Sequence, residues 1–568
     1  MNYNKKPRIP DLSLLILFLV FITWQPYVLH HEIITMDAGI HLPSINALFH
    51  GMVPYRDFLF YRGPFELYVP TLMMLFFGKN MIWLTIFFYA GTILTMMVGL
   101  MLGYQIFRTR LILYLFAIVF IARTFPRVSY YYWGGLRYFI GLLAVFLAIE
   151  CFKRKRLSWM LAAGVVSALS LLTTVEAGVA TMGAIVPALV LTFILKIFDR
   201  KFVLDSLKIY LIGNLAVFLP YLIYLIATKS LFPFLEAMYF IPTKIMSTLL
   251  DARGTAPESF WQFILALFPG SPYFKVMTPV YCYLALFVYL VHRLRNKKLN
   301  WELYSLLTMA IYGIILYAAA FRKIEGHHFD MALQPEKVLL FFMAEEVYLF
   351  LLSKRLAWKA NIDTLAVKGM TRIRKMGKVY TVNMLVFALI ASSLSYSIGR
   401  YHHRFVVWKW LKSKVTHDDK DYSLLAGQET KMLTLERAKG MVVPLWQAEE
   451  IEGIVKFIEE NTKPSDILFT YPELGNFNFW CDRPFVGRFP IVTFSWVDEK
   501  WHGELVSDFI KAKPKYVLMT SLRHRTFPAA LYFRYPKNVR MHKEMTQLIF
   551  ENYKPAKSFT SITIYKRK

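Results

Sequence analysis

Charged residues are scarce in this chain: they make up 18% of its 568 residues, whereas 56% are hydrophobic and the mean hydropathy is +0.41. A soluble globular protein usually has about a quarter of its residues charged. The composition therefore excludes an intrinsically disordered chain and a fibrous repeat. It favours a multi-spanning membrane protein with room for one additional soluble domain.

Cysteines and standard motifs are also few. The three cysteines, Cys151, Cys282 and Cys481, are far apart and predict neither a disulfide framework nor a zinc site. Acidic residues are outnumbered by basic ones, and the net charge is +28. This charge does not indicate nucleic-acid binding until its location is known. The segments expected on the outer face of the membrane contain no Asn-x-Ser/Thr glycosylation sequon, which favours a prokaryotic inner membrane.

The apolar runs predict about eleven transmembrane helices. The first extends from about Leu12 to Leu29. The segment Trp24–Tyr27 has no small-residue cleavage site, so this helix is expected to be retained. The other spans are expected near 82–105, 111–122, 134–152, 157–174, 178–198, 206–227, 277–293, 302–320, 337–353 and 380–399.

The basic loops predict the orientation. All of them follow even-numbered spans, so a cytoplasmic N-terminus places every basic loop in the cytoplasm, as the positive-inside rule requires. The segment 64–77 is apolar but short. If it were counted as a span, every later basic loop would lie on the outer side of the membrane. We therefore expect 64–77, as well as 231–247 and 259–269, to lie along the outer interface.

Residues 1–400 are expected to form the membrane domain, with two large outer loops at 30–81 and 228–276. Residues 401–568 then lie outside. Alternating helical and strand patterns between 448 and 565 predict a small α/β domain in this region. It contains no glycine-rich phosphate loop, nucleophile elbow or paired metal motif, so we interpret it as a lid or an acceptor-binding module.

The first outer loop has the most informative pattern. Asp37 directly follows the first span, near both lipid head groups and water, where a carboxylate can act as a general base on an acceptor hydroxyl. Asp57 follows in the stretch Pro54-Tyr55-Arg56-Asp57, and it either takes part in catalysis or pairs with an arginine to shape the loop. Arg62 comes next, at a turn before the segment that ends in Phe77-Gly78.

This pattern resembles the GT-C superfamily of lipid-linked-sugar glycosyltransferases, in the branch of protein O-mannosyltransferases and aminoarabinose transferases. That branch has an acidic residue after the first span, a Gly-x-x-Pro-Tyr-x-Asp stretch and a Pro-Pro turn, which here reads Arg62-Gly63-Pro64. The segment Arg322 to Pro335 looks like another family stretch. The C-terminal region is similar to the outer domains of many members.

The resemblance implies an inverting transfer of a sugar from a polyprenyl-phosphate carrier to a lipid, glycan or protein acceptor on the outer face. Asp37 would deprotonate the acceptor, and Arg62 would bind the phosphate through its two-pronged guanidinium. No cofactor is implied, because the lipid phosphate already activates the sugar. The expected partners are this donor, the acceptor and the bilayer, without nucleic acid.

Further candidates have open interpretations. Arg127 and Arg137 flank an aromatic loop and either bind phosphate or extend to head groups. Glu176 either caps a helix or faces the cavity. Arg322, His327 and His328 are expected to contact the phosphate or the sugar. Glu345 and Glu346 are candidates if they lie in mid-membrane, and structural residues if the span is shifted.

The spacing of histidines and acids matches no standard metal site, and none is expected. Two functions compete with a transferase: a transporter or flippase for lipid-linked glycans, and a non-catalytic assembly factor. A transporter is expected to show internal repeats or broken helices, and the sequence shows neither. A lipid-to-lipid glycan ligase of the same superfamily is a further alternative function.

Overall fold

The computed structural model describes residues 6–23, 26–124, 132, 134–240, 259–268, 271, 274–297, 300–320, 332–362, 425, 428–493, 497–520 and 535–568. In the described residues up to Ile362, the regular elements are helices joined by turns and loops. The helices are α1 (Ile9–Thr23), α2 (Met36–Phe49), α3 (Pro64–Phe77), α4 (Ile82–Ile106), α5 (Arg110–Thr124), α6 (Leu136–Arg154), α7 (Leu157–Thr173), α8 (Val175–Ile194), α9 (Arg200–Ala227), α10 (Leu231–Phe240), α11 (Phe260–Ala266), α12 (Phe274–Arg295), α13 (Trp301–Ala320) and α14 (Gln334–Ile362).

These helices confirm the prediction of a helical membrane protein. Within the described residues, five helices are long and apolar enough to cross a membrane: α4, α8, α9, most of α12, and α13. Each of the first ten predicted spans falls on a helix. The eleventh, 380–399, lies outside the described residues. The first helix ends at Thr23 rather than near Leu29, and a short 3₁₀ turn begins at Pro26, where a proline cannot donate the backbone hydrogen bond of a helix interior.

The surface of α9 shows how the bundle meets lipid. Leu211, Leu215, Leu219 and Ile223 are each about half exposed along this helix. In the most apolar 18-residue stretch of α9, only 22% is buried inside the protein. A contiguous apolar surface of this kind is rare on a soluble monomer, and it is the expected surface of a helix in a bilayer.

The basic loops within the described residues gather at one end of the bundle. Arg110 at the start of α5 lies 3.0 Å from Asp11 of α1. Glu345 of α14 accepts hydrogen bonds from the backbone of Thr109 and Arg108, at 2.7 and 2.9 Å. Lys153 at the end of α6 lies over the ring of Trp301, at the start of α13. This end is the one expected in the cytoplasm, and Glu345 stabilises the turn between α4 and α5.

The C-terminal part is a small α/β unit, as predicted. Its strands are β1 (Thr430–Met432), β2 (Val442–Pro444), β3 (Leu468–Tyr471), β4 (Tyr516–Thr520), β5 (Tyr553–Ser558) and β6 (Ile562–Arg567); its helices are α15 (Leu445–Asn461), α16 (Asn476–Trp480), α17 (Glu499–Ala512) and α18 (Pro536–Asn552). A four-stranded sheet has the order β3-β4-β6-β5. Strands β3 and β4 are parallel, and β6 is antiparallel to both of its neighbours.

This unit packs directly on the first outer loop. A single hydrophobic core contains Ile40 and Phe60 of the loop together with Ile451 and Phe477 of the C-terminal part. The backbone amide of Leu59 donates to the carbonyl of Arg488 over 2.7 Å. The core therefore joins the two regions that are predicted from the sequence as separate domains. It also holds the elements that carry Asp37 and Arg62 in position.

Candidate active site

Asp37 lies in the first turn of α2, which the loop pattern did not predict as a helix. Thr35 caps this helix by accepting a hydrogen bond from the amide of Ala38, a standard way to satisfy an otherwise unpaired helical amide. The helix N-terminus is a favourable location for a carboxylate. The Asp37 side chain is 29% exposed, so it is both held by the protein and open to a second molecule.

Arg62 is shared between two carboxylates. Its Nη2 atom lies 2.9 Å from Asp37 Oδ1, and its Nη1 atom lies 3.0 Å from Glu66 Oε1. Arg62 is almost fully buried, and Glu66 has no exposed surface. Sequence reasoning assigned Arg62 to a phosphate, whereas here both terminal nitrogens of its guanidinium bind carboxylates.

The backbone on both sides of Arg62 is fixed. The hydroxyl of Tyr55 donates to the Arg62 carbonyl over 2.7 Å. The amide of Gly63 donates to the carbonyl of Thr173, at the end of α7, over 3.0 Å. Tyr55 has a φ of +69°, which is a strained conformation for a residue other than glycine. The fold thus holds this turn in a defined position against α7.

Asp57 is used within the loop. Its carboxylate pairs with Arg56 at 2.7 Å and accepts from the backbone amide of Val53 at 2.7 Å. The hydrogen bond from Arg56 lowers the pKa of Asp57. Arg56 also donates to the carbonyl of Thr228 after α9. These contacts favour the loop-shaping interpretation of Asp57, and its catalytic role stays a prediction.

His41 follows Asp37 by one turn of α2 and is fully buried. Its Nδ1 atom donates to the Asp37 carbonyl over 2.8 Å. Its Nε2 atom is buried without a hydrogen-bond partner among the described residues. Burial, together with the positive charge of Arg62, lowers the pKa of His41 to about 3. The ring is therefore neutral at physiological pH, with its proton on Nδ1.

Arg137 and Glu176 extend the charged cluster. Arg137 is buried at the outer end of α6, after the turn Gly134-Gly135, where both glycines have positive φ. It lies within electrostatic reach of Asp37, Glu66 and Glu176. Glu176 is an exposed residue in the first turn of α8. The predicted residues Asp37, Arg62, Arg137 and Glu176 therefore belong to one electrostatic cluster.

Other predicted residues have no described position. Arg127, Arg322, His327 and His328 lie outside the described residues. In the described part of the chain, no group of three or more His, Cys, Asp or Glu side chains is arranged to hold a metal ion.

Sequence reasoning missed Glu66 and His41 as parts of this cluster. Glu66 lies within the apolar segment 64–77, and His41 belongs to the histidines whose spacing matches no standard metal site. Their spacing carries a signal, because Glu66 is four residues from Arg62, and His41 is four residues from Asp37. In a helix this spacing brings side chains to the same face.

The C-terminal part covers the start of α2. The side-chain amide of Asn476 donates to the carbonyl of Ile33 over 2.8 Å. Thr493 contacts Met36, next to Asp37, and donates to the buried carboxylate of Glu473 over 2.7 Å. Residues of this part therefore lie within one helical turn of Asp37.

No protein-family model matches the chain, and no curated protein matches it. Among solved structures, the chain is similar to ArnT from Cupriavidus metallidurans, at 11% identity over 97% of each chain, with TM-scores of 0.49 in the apo state and 0.47 with undecaprenyl phosphate bound.

The chain is also similar to the oligosaccharyltransferase of Archaeoglobus fulgidus in its apo form, at 12% identity over 90% of this chain and 69% of that chain, with a TM-score of 0.47. TM-scores below 0.5 correspond to a partial overlap of the backbones, and the roles of residues therefore follow from the geometry of this chain.

Proposed function

We propose that this protein is a membrane glycosyltransferase that moves a sugar from a polyprenyl-phosphate carrier to an acceptor hydroxyl. The observation that carries the proposal is the pair of Asp37 and Arg62 at 2.9 Å, at the end of the bundle opposite the basic loops. A partly exposed carboxylate held by a buried arginine is suited to act as a positioned general base. The resemblance of the first outer loop supports the same reaction.

The proposed reaction is a single displacement with inversion. The acceptor oxygen forms a bond to the anomeric carbon as the bond from that carbon to the phosphate oxygen breaks. The proton of the acceptor hydroxyl moves to the Asp37 carboxylate. The phosphate leaves with the bonding electron pair, and the developing negative charge requires fixed positive charge nearby. Arg137 is the described residue best placed to supply that charge.

The same arrangement supports a location of the active site on the outer face of the membrane. Basic loops favour the cytoplasmic side, so Asp37 and the C-terminal part lie on the outer face. The acceptor would then approach between the start of α2 and the segment around Thr493. We propose an inner membrane of a prokaryote as the location, with the N-terminus inside.

The test uses purified protein in detergent with a panel of radiolabelled polyprenyl-phosphate sugars and added membrane extract. We expect wild-type protein to transfer one of these sugars with inverted anomeric configuration. Asp37→Asn should lower kcat about 100-fold or more, since general-base catalysis contributes on this scale. Transfer that is equally fast in Asp37→Asn would contradict the proposed role.

Asp57→Asn is the matched control. It removes the same charge from the same loop, and the contacts of Asp57 with Arg56 and Val53 predict reduced stability with a kcat near that of the wild type. A loss of kcat equal to that of Asp37→Asn would instead make Asp57 a catalytic residue. Donor binding without turnover by the wild type would favour a transporter or a ligase.

A further inference from the structure

Glu66 is a buried acid with an unusual environment. It is the third residue of α3, follows Arg62 by four positions, and has no exposed surface. Its Oε1 atom accepts from Arg62 Nη1 over 3.0 Å. Its Oε2 atom is buried and has no hydrogen-bond partner among the described residues. A half-satisfied buried carboxylate destabilises a fold, so its presence calls for a reason other than stability.

The position of Glu66 determines how Arg62 is oriented. The backbone of Arg62 and Gly63 is already fixed by Tyr55 and Thr173, which leaves only rotation of the arginine side chain. A guanidinium is planar, and binding one terminal nitrogen sets the direction of the other. When Nη1 is bound to Glu66, Nη2 points to Asp37 at 2.9 Å.

We propose that Glu66 is a positioning residue: it holds Arg62 so that the arginine orients Asp37, the base of the reaction, and does not serve as the anchor of the donor phosphate. The inference rests on the proposed function for its catalytic consequence. Its geometric part, that Glu66 determines the contact between Arg62 and Asp37, stands independently of turnover.

The first measurement does not need activity. Asp37 is partly exposed, so a water-soluble carbodiimide with a small amine modifies it at a rate that mass spectrometry can follow. Contact with Arg62 protects this carboxylate. We expect Glu66→Gln to increase the modification rate of Asp37 several-fold while the protein stays folded, as judged by its melting temperature. An unchanged rate in Glu66→Gln overturns the inference.

Glu302→Gln is the matched control. Glu302 pairs with Arg293 at the same distance of 3.0 Å, at the turn between α12 and α13. Removing this charge leaves the contact between Arg62 and Asp37 intact. We therefore expect wild-type modification of Asp37 and wild-type kcat in Glu302→Gln. A comparable increase in modification would show that any lost glutamate loosens the protein, and would overturn the inference.

The kinetic measurement separates positioning from binding. We expect Glu66→Gln to lower kcat by about 10- to 100-fold, the scale of a misplaced catalytic group, with the KM for the donor changed less than about twofold. In an Arg62→Gln background, Glu66→Gln should cause no further loss, because it acts through Arg62. A rise in donor KM with unchanged kcat would instead make Glu66 part of the donor site and overturn the inference.

The two proposals fail in different ways. If wild-type protein transfers no sugar but Glu66→Gln still exposes Asp37, the proposed function fails and the positioning role of Glu66 stands. If wild-type protein transfers sugar and Glu66→Gln leaves both the protection of Asp37 and kcat unchanged, the positioning role fails and the proposed function stands.

Discussion

At the scale of single residues, the site combines one exposed acid with groups that are buried around it. Asp37 is open to a second molecule, whereas Arg62, Glu66 and His41 are almost or fully inaccessible. Burial strengthens their electrostatic interactions, because the effective dielectric constant is lower than in water. The same burial keeps the ring of His41 neutral. This neutral ring lies one helical turn after Asp37, which pairs with Arg62.

The pKa of His41 predicts how stability depends on pH. The folded pKa is about 3, and the unfolded value is near 6.5, so the unfolded chain binds more protons between these values. Stability is therefore fully present above pH 6.5 and falls as the pH is lowered. The expected loss from His41 is about 2 kcal/mol at pH 5.

The melting temperature in detergent at pH 7.5 and at pH 5 tests this prediction. Wild-type protein should melt at a lower temperature at pH 5, and His41→Gln should show a smaller difference between the two pH values. His31, which also has a pKa lowered by burial to about 3, remains in both proteins and contributes equally. The same pH dependence in both proteins would contradict the assignment.

Sequence reasoning found Asp37, Arg62, Arg137 and Glu176 because each lies at a predicted turn or span end. It did not find Glu66 and His41, since their roles depend on which loop segments become helices. The residue pattern Asp37 to Phe49 contains Gly39 and Pro43, which weaken a helical prediction, yet α2 forms there under the cover of the C-terminal part.

At the scale of elements, the site depends on the close approach of α3 to the end of α7. A Cβ atom on Gly63 would lie 2.1 Å from the carbonyl oxygen of Leu172 and 2.7 Å from the carbonyl carbon of Thr173. Backbone atoms cannot yield at these distances as a flexible side chain does. Glycine at this turn therefore permits the hydrogen bond that fixes Arg62 and the start of α3.

Gly63→Ala should separate α3 from α7. We expect a destabilisation of about 1–3 kcal/mol, typical of overpacking, together with a loss of transfer activity as Arg62 and Glu66 move away from Asp37. Thermal unfolding in detergent and the transfer assay measure the two effects. Wild-type values for both would contradict the packing argument.

Gly503→Ala provides the control for this substitution. Gly503 lies inside α17, and a Cβ atom there meets nothing within 4 Å. Alanine in the interior of a helix is favoured over glycine by about 0.5–1 kcal/mol, so this variant should be as stable as the wild type or slightly more so, and fully active.

At the scale of the whole molecule, the two ends of the helical bundle carry different sets of charged residues. The basic loops that the structure describes lie together at one end of the bundle, and the cluster around Asp37 lies at the other. The alternation of loops along the sequence predicted this arrangement, because successive spans must return to opposite faces. The shared core of the first outer loop and the C-terminal part was not predictable, since contacts between residues 400 positions apart leave no local pattern.

Accessibility of introduced cysteines tests the predicted orientation. The three native cysteines are buried, so the wild-type protein should not react with a membrane-impermeable maleimide. In spheroplasts we expect rapid labelling of Lys456→Cys, on the exposed face of α15, and no labelling of Lys201→Cys until the membrane is permeabilised. The reverse pattern would place the site on the cytoplasmic side.

The central claim is that Asp37 accepts the proton of the acceptor hydroxyl during sugar transfer. Single-turnover kinetics measure this step most directly: donor is bound first, acceptor is then added, and product formation is followed in the wild type and in Asp37→Asn. We predict equal donor binding and a transfer rate at least about 100-fold lower in the variant. Equal rates of transfer in the two proteins would contradict the account.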